Sequence, residues 1–253
     1  MTPPDAASRE ALQFWGYLFK EDNRGSDLLN RLLDGIANYV TAHFPPTPDC
    51  ADITPAQLAA FYKAVGGDYD ILFLKTQAPD LAFIYKNLGC LHSLQPAPES
   101  KGFDSPAIPA LKPKGFVTWQ TIQLLLGPDE HVPFLQNAVE RFDIVDPGTK
   151  GVFPKLLPKE AFPDKPDEKM ERWYQEVSER LRKEMEEGQE EQHQHEHAAD
   201  QGRSNSPGPD RISSDLSEES MDDHAGAAEY FRDPLYRRGG TRPRVVRRYS
   251  RIP

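Results

Sequence analysis

Aspartates follow predicted helices at two places where the spacing suggests a calcium-binding loop. Asp68 and Asp70 stand two residues apart, and Asp146 opens a segment with Gly151 at its sixth position. A calcium loop also needs further oxygen ligands and a bidentate glutamate at its twelfth position, where the second segment has Leu157. Both segments are therefore interpreted as turns and helix caps. No cofactor is expected.

A thiol, an imidazole and a hydroxyl lie close together in sequence at Cys90, His92 and Ser93. A nucleophile and its base normally come from distant segments, and no strained turn or oxyanion motif surrounds these three residues. They do not predict catalysis. A separate tract, His193, His195 and His197, alternates with polar residues and is interpreted as solvated low-complexity sequence.

An enzyme would have to assemble its site from groups that are scattered along the chain, namely Asp68, Asp70, His92 and His131. A deep pocket that gathers at least two of them would favour this alternative. His131 is expected instead in a surface hydrogen-bond network at a helix start. Neither of the common glycine-rich phosphate motifs occurs in the sequence.

The end of the chain is rich in arginine. Arginine binds phosphates with two hydrogen bonds and stacks on bases, so RNA or an acidic protein surface could attract this end. A contact with the acidic middle of the same chain is the equal alternative. The candidate interaction residues are Arg237, Arg238, Arg242, Arg244, Arg247, Arg248 and Arg251.

Ser250 is a candidate phosphorylation site, because Arg247 and Arg248 precede it at the positions that cyclic-AMP-dependent-type kinases prefer. A phosphate would add about −1.5 to −2 charges beside these arginines. It is therefore expected to weaken any contact that they make with acidic groups or RNA.

Charge and composition divide the chain into four parts. The net charge is −10, but residues 164–231 are strongly acidic and residues 232–253 are basic. Large apolar residues become rare after residue 188, which is typical of disorder. The predicted parts are a flexible N-terminus (1–9), a helical globular domain (10–163), a charged helix (164–188), and an acidic, then arginine-rich disordered tail (189–253).

Neither a signal peptide nor an apolar run of the ~20 residues that span a bilayer is visible. With only two cysteines, a disulfide framework is not expected either. These observations predict a soluble intracellular protein, in the cytoplasm or the nucleus.

Hydrophobic periods of three to four residues predict an all-α fold, a compact multi-helix domain that precedes the charged helix and the tail. Proline-rich residues 96–113 are predicted to be a loop. The helical segments are expected at residues 10–19, 26–40, 55–65, 79–88, 116–126 and 129–142, with a last helix from Pro166.

Aromatic residues could either fill the core or line a ligand groove. A helical domain of this size needs them inside, so Trp15, Phe19, Trp119 and Phe134 are predicted to be core residues. Within the segment 10–19, Phe14 is expected on the same buried face as Trp15, Leu18 and Phe19.

Three sequence stretches resemble a domain family of unknown function found in filamentous fungi. They are residues 14–19 (FWGYLF), residues 58–70 with their GGDYD end, and residues 115–136 (GFVTWQTIQLLLGPDEHVPFLQ). The resemblance extends over about residues 10–185 and implies no known activity. Because nothing in the sequence resembles a preorganised catalytic constellation, we expect a non-enzymatic protein-interaction module with a regulatory tail and an unknown protein partner. The alternatives are the scattered Asp/His enzyme and an RNA-associated adaptor that acts through the arginines.

Overall fold

The computed structural model describes residues 6–45, 52–97, 105–180 and residue 183. The predicted tail, residues 189–253, lies outside these ranges together with its histidine tract, its candidate arginines and Ser250. The described part is mostly helical, which confirms the coarse prediction. Within the described ranges, no helix combines the length and the apolar character needed to cross a membrane.

Helices form most of the described chain. The last of them, α7, begins at residue 168 and is described as far as residue 180. A π-helical turn (Ile71–Lys75) and a 3-10 turn (Lys159–Ala161) connect longer elements. The longer helices are α1 (Ala6–Trp15), α2 (Asp27–His43), α3 (Pro55–Val65), α4 (Ala78–Asn87), α5 (Pro113–Leu126) and α6 (Pro128–Arg141).

A small antiparallel sheet corrects the all-α prediction. Strand β1 (His92–Gln95) pairs with β2 (Ile108–Leu111), which lies inside the predicted loop 96–113. Ile53 extends the ladder beyond β2. Its N–H donates to the carbonyl of Leu111 at 2.7 Å, and its own carbonyl accepts the N–H of Leu111 at 2.8 Å. Strands of four residues carry too few positions to show a period of two. Their pairing depends on contacts between distant parts of the chain, which the local pattern does not show.

Side chains cap the first turns of α2 and α3. Ser26 Oγ accepts a hydrogen bond from the N–H of Leu29 at 3.2 Å at the start of α2. Thr54 and Gln57 form a reciprocal capping box at the start of α3. This helix ends at Gly66, whose φ of 98° is the left-handed conformation that glycine adopts without strain.

The first helix is shifted relative to the prediction for residues 10–19. It begins at Ala6 and ends at Trp15, because Gly16 follows with a φ of 55° and turns the chain away from the helix axis. Leu18 then donates its N–H to the carbonyl of Ala161 at 2.8 Å. Residues after Gly16 therefore do not share a helical face with those before it.

The core is built around large aromatic side chains. Trp15, Phe19, Trp119 and Phe134 are all buried, which confirms the core prediction. At the centre, the hydroxyl of Tyr62 on α3 accepts hydrogen bonds from α5. Trp119 Nε1 lies at 3.0 Å from this oxygen and Gln120 Nε2 at 2.9 Å. The buried Trp119 N–H, Gln120 amide N–H and Tyr62 hydroxyl oxygen thus find their hydrogen-bond partners within the contact between α3 and α5.

Gly115 permits the closest approach between a helix and the sheet region. It stands in the first turn of α5, directly against the backbone of Leu91 before β1. A Cβ atom at this position would overlap the carbonyl oxygen of Leu91. The absence of a side chain at Gly115 therefore sets the position of α5 against this backbone.

We expect Gly115→Ala to lower the free energy of unfolding by at least about 2 kcal/mol, since overpacking against backbone outweighs a gain of at most ~1 kcal/mol in helix propensity. Gly151→Ala is the matched control, because the nearest atom to its added Cβ would be Thr149 Oγ1 at 3.6 Å. Urea unfolding of both variants is the measurement. Equal stability of the two variants would contradict this account of Gly115.

Candidate interaction groove

The two aspartates of the enzyme alternative serve the turn that follows α3. The carboxylate of Asp68 accepts the backbone N–H of Asp70 at 3.3 Å. The carboxylate of Asp70 lies 3.8 Å from Lys63 Nζ, as part of an exposed ion pair. These contacts fit the interpretation of this segment as a turn.

His131 belongs to a buried network rather than to the surface network that the sequence predicts. Its Nε2 lies 3.1 Å from the hydroxyl of Tyr69, and the same hydroxyl lies 2.7 Å from Glu130 Oε1. A phenol carries one proton. If Tyr69 donates that proton to the carboxylate, His131 Nε2 must donate its own proton to the phenol oxygen. The network thereby ties the turn after α3 to the start of α6.

The two histidines of the enzyme alternative stand at the two ends of one row of ring contacts. Four aromatic rings lie between them in that row, and each histidine has its own hydrogen-bond contact, His92 with the carbonyl of Cys90 and His131 with the hydroxyl of Tyr69. Neighbouring ring centroids in this row are 5.6 to 6.2 Å apart, in the order His92, Tyr85, Trp119, Phe73, Tyr62 and His131.

Cys90 is not placed as a nucleophile. Burial raises the pKa of its thiol to about 12, so the reactive thiolate is nearly absent at neutral pH. His92 directs its Nδ1 at the backbone carbonyl of Cys90, 3.0 Å away. Ser93 donates its hydroxyl to the carboxylate of Asp52. The three side chains therefore have separate structural contacts.

Asp146 organises a tight hairpin between residues 144 and 153. Its Oδ1 accepts the N–H of Gly148 at 2.8 Å, and its Oδ2 accepts the hydroxyl of Thr149 at 3.0 Å. Arg31 on α2 donates from Nη1 to the same Oδ2 at 3.0 Å. These bonds make the predicted calcium-like segment an Asx turn that is attached to a helix.

A groove opens where this hairpin meets α1 and α2. Its volume is about 210 Å³. Phe14 and Val152 form its rims and are each about half exposed, at 49 % and 52 %. The polar part of the lining consists of the Arg31–Asp146 pair and Thr149. The full lining consists of Phe14, Leu28, Arg31, Asp146, Thr149, Val152 and Phe153.

The exposure of Phe14 corrects the prediction that it shares a buried face with Trp15, Leu18 and Phe19. Trp15 turns inward from α1, where it stacks on Phe153 at 5.4 Å and donates its Nε1–H to the carbonyl of Leu156 at 2.8 Å. The break at Gly16 separates Phe14 from the later residues. A sequence signal for this break exists, since glycine directly follows the two aromatic residues.

Contacts within the hairpin and with α2 keep the Asp146 carboxyl of the groove ionised. Burial by itself raises the pKa of the Asp146 carboxyl. Hydrogen bonds from Gly148 and Thr149, together with the positive charge of Arg31, outweigh burial and hold that pKa below its usual value. Asp146 is thus a carboxylate at neutral pH and is held by its donors, while the side chain of Arg31 is still 39 % exposed.

Residues 16–178, almost two thirds of the chain, match the model of one protein family, which is described as a domain of unknown function (DUF7514). No curated protein and no solved structure matches the chain.

Replacing Asp146 by asparagine tests the hairpin. We expect Asp146→Asn to lower the free energy of unfolding by about 1–3 kcal/mol at neutral pH, because charge-assisted hydrogen bonds are lost. The folded-state pKa of Asp146 is depressed. Its contribution is therefore complete above the unfolded-state pKa and disappears as the pH falls through the folded-state pKa.

The free energies of unfolding of wild type and variant, measured with urea, should differ less at about pH 3 than at about pH 7. Asp143→Asn is the control, since Asp143 is an exposed neighbour paired with Lys155, and it should change the stability little at either pH. A difference for Asp146→Asn that stays constant with pH would refute the role of its carboxylate.

Proposed function

The chain belongs to a family of domains of unknown function, and from its own surface we propose that it is a non-enzymatic protein-interaction module. The observation that carries the proposal is the groove between α1, α2 and the hairpin. Two half-exposed apolar side chains, Phe14 and Val152, line this groove together with the Arg31–Asp146 ion pair. Apolar side chains together with a small number of positioned polar groups are typical of binding pockets.

The size of the groove favours a protein side chain over a cofactor. Small-molecule sites usually enclose roughly 300–1,000 Å³, whereas this groove holds about 210 Å³. That volume suits one or two side chains of a partner. The acid and base candidates Asp68, Asp70, His92 and His131 are not among the residues that line the groove. The carboxylate that does line it, Asp146, is engaged by Arg31 and Thr149.

Apolar contact at the two rims is not sufficient for binding. Completing the burial of two half-exposed side chains such as Phe14 and Val152 contributes roughly 2 kcal/mol. Even a millimolar complex requires about 4 kcal/mol. A partner must therefore also use the exposed part of the Arg31 guanidinium or the surrounding surface. This requirement predicts an aliphatic residue next to a carboxylate in the partner.

The arginine-rich end is proposed as a regulatory element of the same module, with Ser250 as its phosphorylation site. The support for this part is the sequence alone, namely seven candidate arginines around a kinase-type motif. A phosphate beside Arg247 and Arg248 would reduce the local positive charge.

Affinity capture with the full chain tests the module. We expect wild type to capture a partner from the cells that produce it. Phe14→Ser combined with Val152→Ser should reduce the captured amount roughly tenfold, since that factor corresponds to about 1.4 kcal/mol of lost contact. Both positions are half exposed, so thermal unfolding should show that the variant still folds.

Leu91→Ser combined with Leu94→Ser is the matched control, because these leucines are similarly exposed, at 56 % and 51 %, but lie at β1. It should capture as much partner as wild type. Equal capture by the groove variant, or no partner for wild type, would contradict the proposed function.

A further inference from the structure

We infer that a segment of the same chain, residues 210–219, occupies the groove when no partner is bound, with Leu216 between Phe14 and Val152 and its acidic neighbours beside Arg31. The inference rests on the proposed function, since it concerns the regulation of the same groove. A bound partner and this segment would then compete for one surface.

The segment has the chemistry that the groove requires. Between residues 184 and 231, Ile212 and Leu216 are the only branched aliphatic residues. Asp215 directly precedes Leu216 and Glu218 follows it two residues later, so both can supply a carboxylate close to the leucine. Ile212 and Leu216 are four residues apart, a spacing that places two side chains on the same face of a helical turn. Amphipathic segments with such spacing bind in apolar grooves.

Charge selects this segment over the arginine-rich end. The exposed Lys150 follows Thr149 in the hairpin, and Arg31 is only partly covered, while the charge of Asp146 is engaged by its three donors. The accessible charges beside the groove are therefore those of Arg31 and Lys150, because the side chain of Asp146 is only 7 % exposed, in a chain with a net charge of −10. Residues 210–219 carry a net charge of −3, whereas residues 232–253 carry +7 and would be repelled.

The position of α7 brings the following chain close to the groove. Leu18 is bonded to Ala161 at 2.8 Å. Partial burial, followed by the nearby carboxylates of Asp164 and Asp167, raises the pKa of Tyr17. The start of α7 therefore lies beside the end of α1, which also carries Phe14.

The connection to the segment is long enough to return from α7. The described helical residues 168–180 extend about 20 Å. The 31 residues that then lead to Ile212 would have a length of about 46 Å even as one continuous helix. This length exceeds that of the described part of α7, so the connection is long enough to reach back to the start of α7.

Disulfide trapping in the full chain tests the contact. Val152→Cys is combined with Leu216→Cys in a Cys50→Ser background, and Cys90 is left in place because its buried thiol is unreactive. Under a mild thiol oxidant, the internal cross-link should form roughly tenfold faster than in the control pair Leu94→Cys with Leu216→Cys, because docking raises the effective concentration of the two thiols. Mass spectrometry of the digested protein identifies the link.

Three outcomes would overturn the inference. Equal rates for the two pairs would show that residue 216 does not prefer the groove. Faster trapping of Val152→Cys with Val246→Cys would assign the groove to the arginine-rich end. A covalent dimer instead of a cross-linked monomer would assign it to a second copy of the chain.

The proposed function is tested separately by affinity capture. If trapping fails while the Phe14/Val152 variant still loses its partner, only the self-occupied state is refuted. If trapping succeeds, Ile212→Ser combined with Leu216→Ser should increase the amount of captured partner, because the groove is then free. An unchanged amount would show that the segment does not compete, which also contradicts the inference.

Discussion

The hairpin between residues 144 and 153 stays against α2 because three donors converge on the carboxylate of Asp146. Gly148 and Thr149 close the turn, and Arg31 joins it to the helix. The helix must also come close for this pairing. A Cβ at Gly35 would stand 2.6 Å from the carbonyl oxygen of Val145, so only glycine allows the approach. The groove depends on both conditions, because its Val152 rim belongs to the hairpin.

This arrangement leaves Phe14 and Val152 partly exposed to solvent, while the carboxylate of Asp146 already has its hydrogen-bond donors. An acid or base in catalysis has to change its protonation state during the reaction, whereas the carboxylate of Asp146 is held as an anion by its partners. The buried Tyr69–Glu130–His131 network likewise connects elements of the fold. Such a surface is suited to recognition by contact, with specificity from Arg31 and from the shape between Phe14 and Val152.

Much of the helical fold could be predicted from the sequence, because its signals are local. Ser26 and the pair Thr54–Gln57 mark helix starts, and Gly66 marks a helix end, as observed. The strands were missed because their pairing is non-local. The groove was missed for a related reason: Arg31 and Asp146 are 115 residues apart, and no local pattern joins them. The segment that begins at Asp146 and resembles a calcium loop forms an Asx turn instead, in which Asp146 accepts the N–H of Gly148.

Site-specific photo-cross-linking measures most directly whether the groove is the binding surface. A photoreactive phenylalanine analogue replaces Phe14 in the full chain, and Leu94 in a control of similar exposure. After irradiation in the cells that produce the protein, the account predicts adducts from position 14, either with another protein or with residues 210–219. Position 94 should give few. Absence of adducts at position 14, or the same adducts at both positions, would contradict the claim that the groove binds.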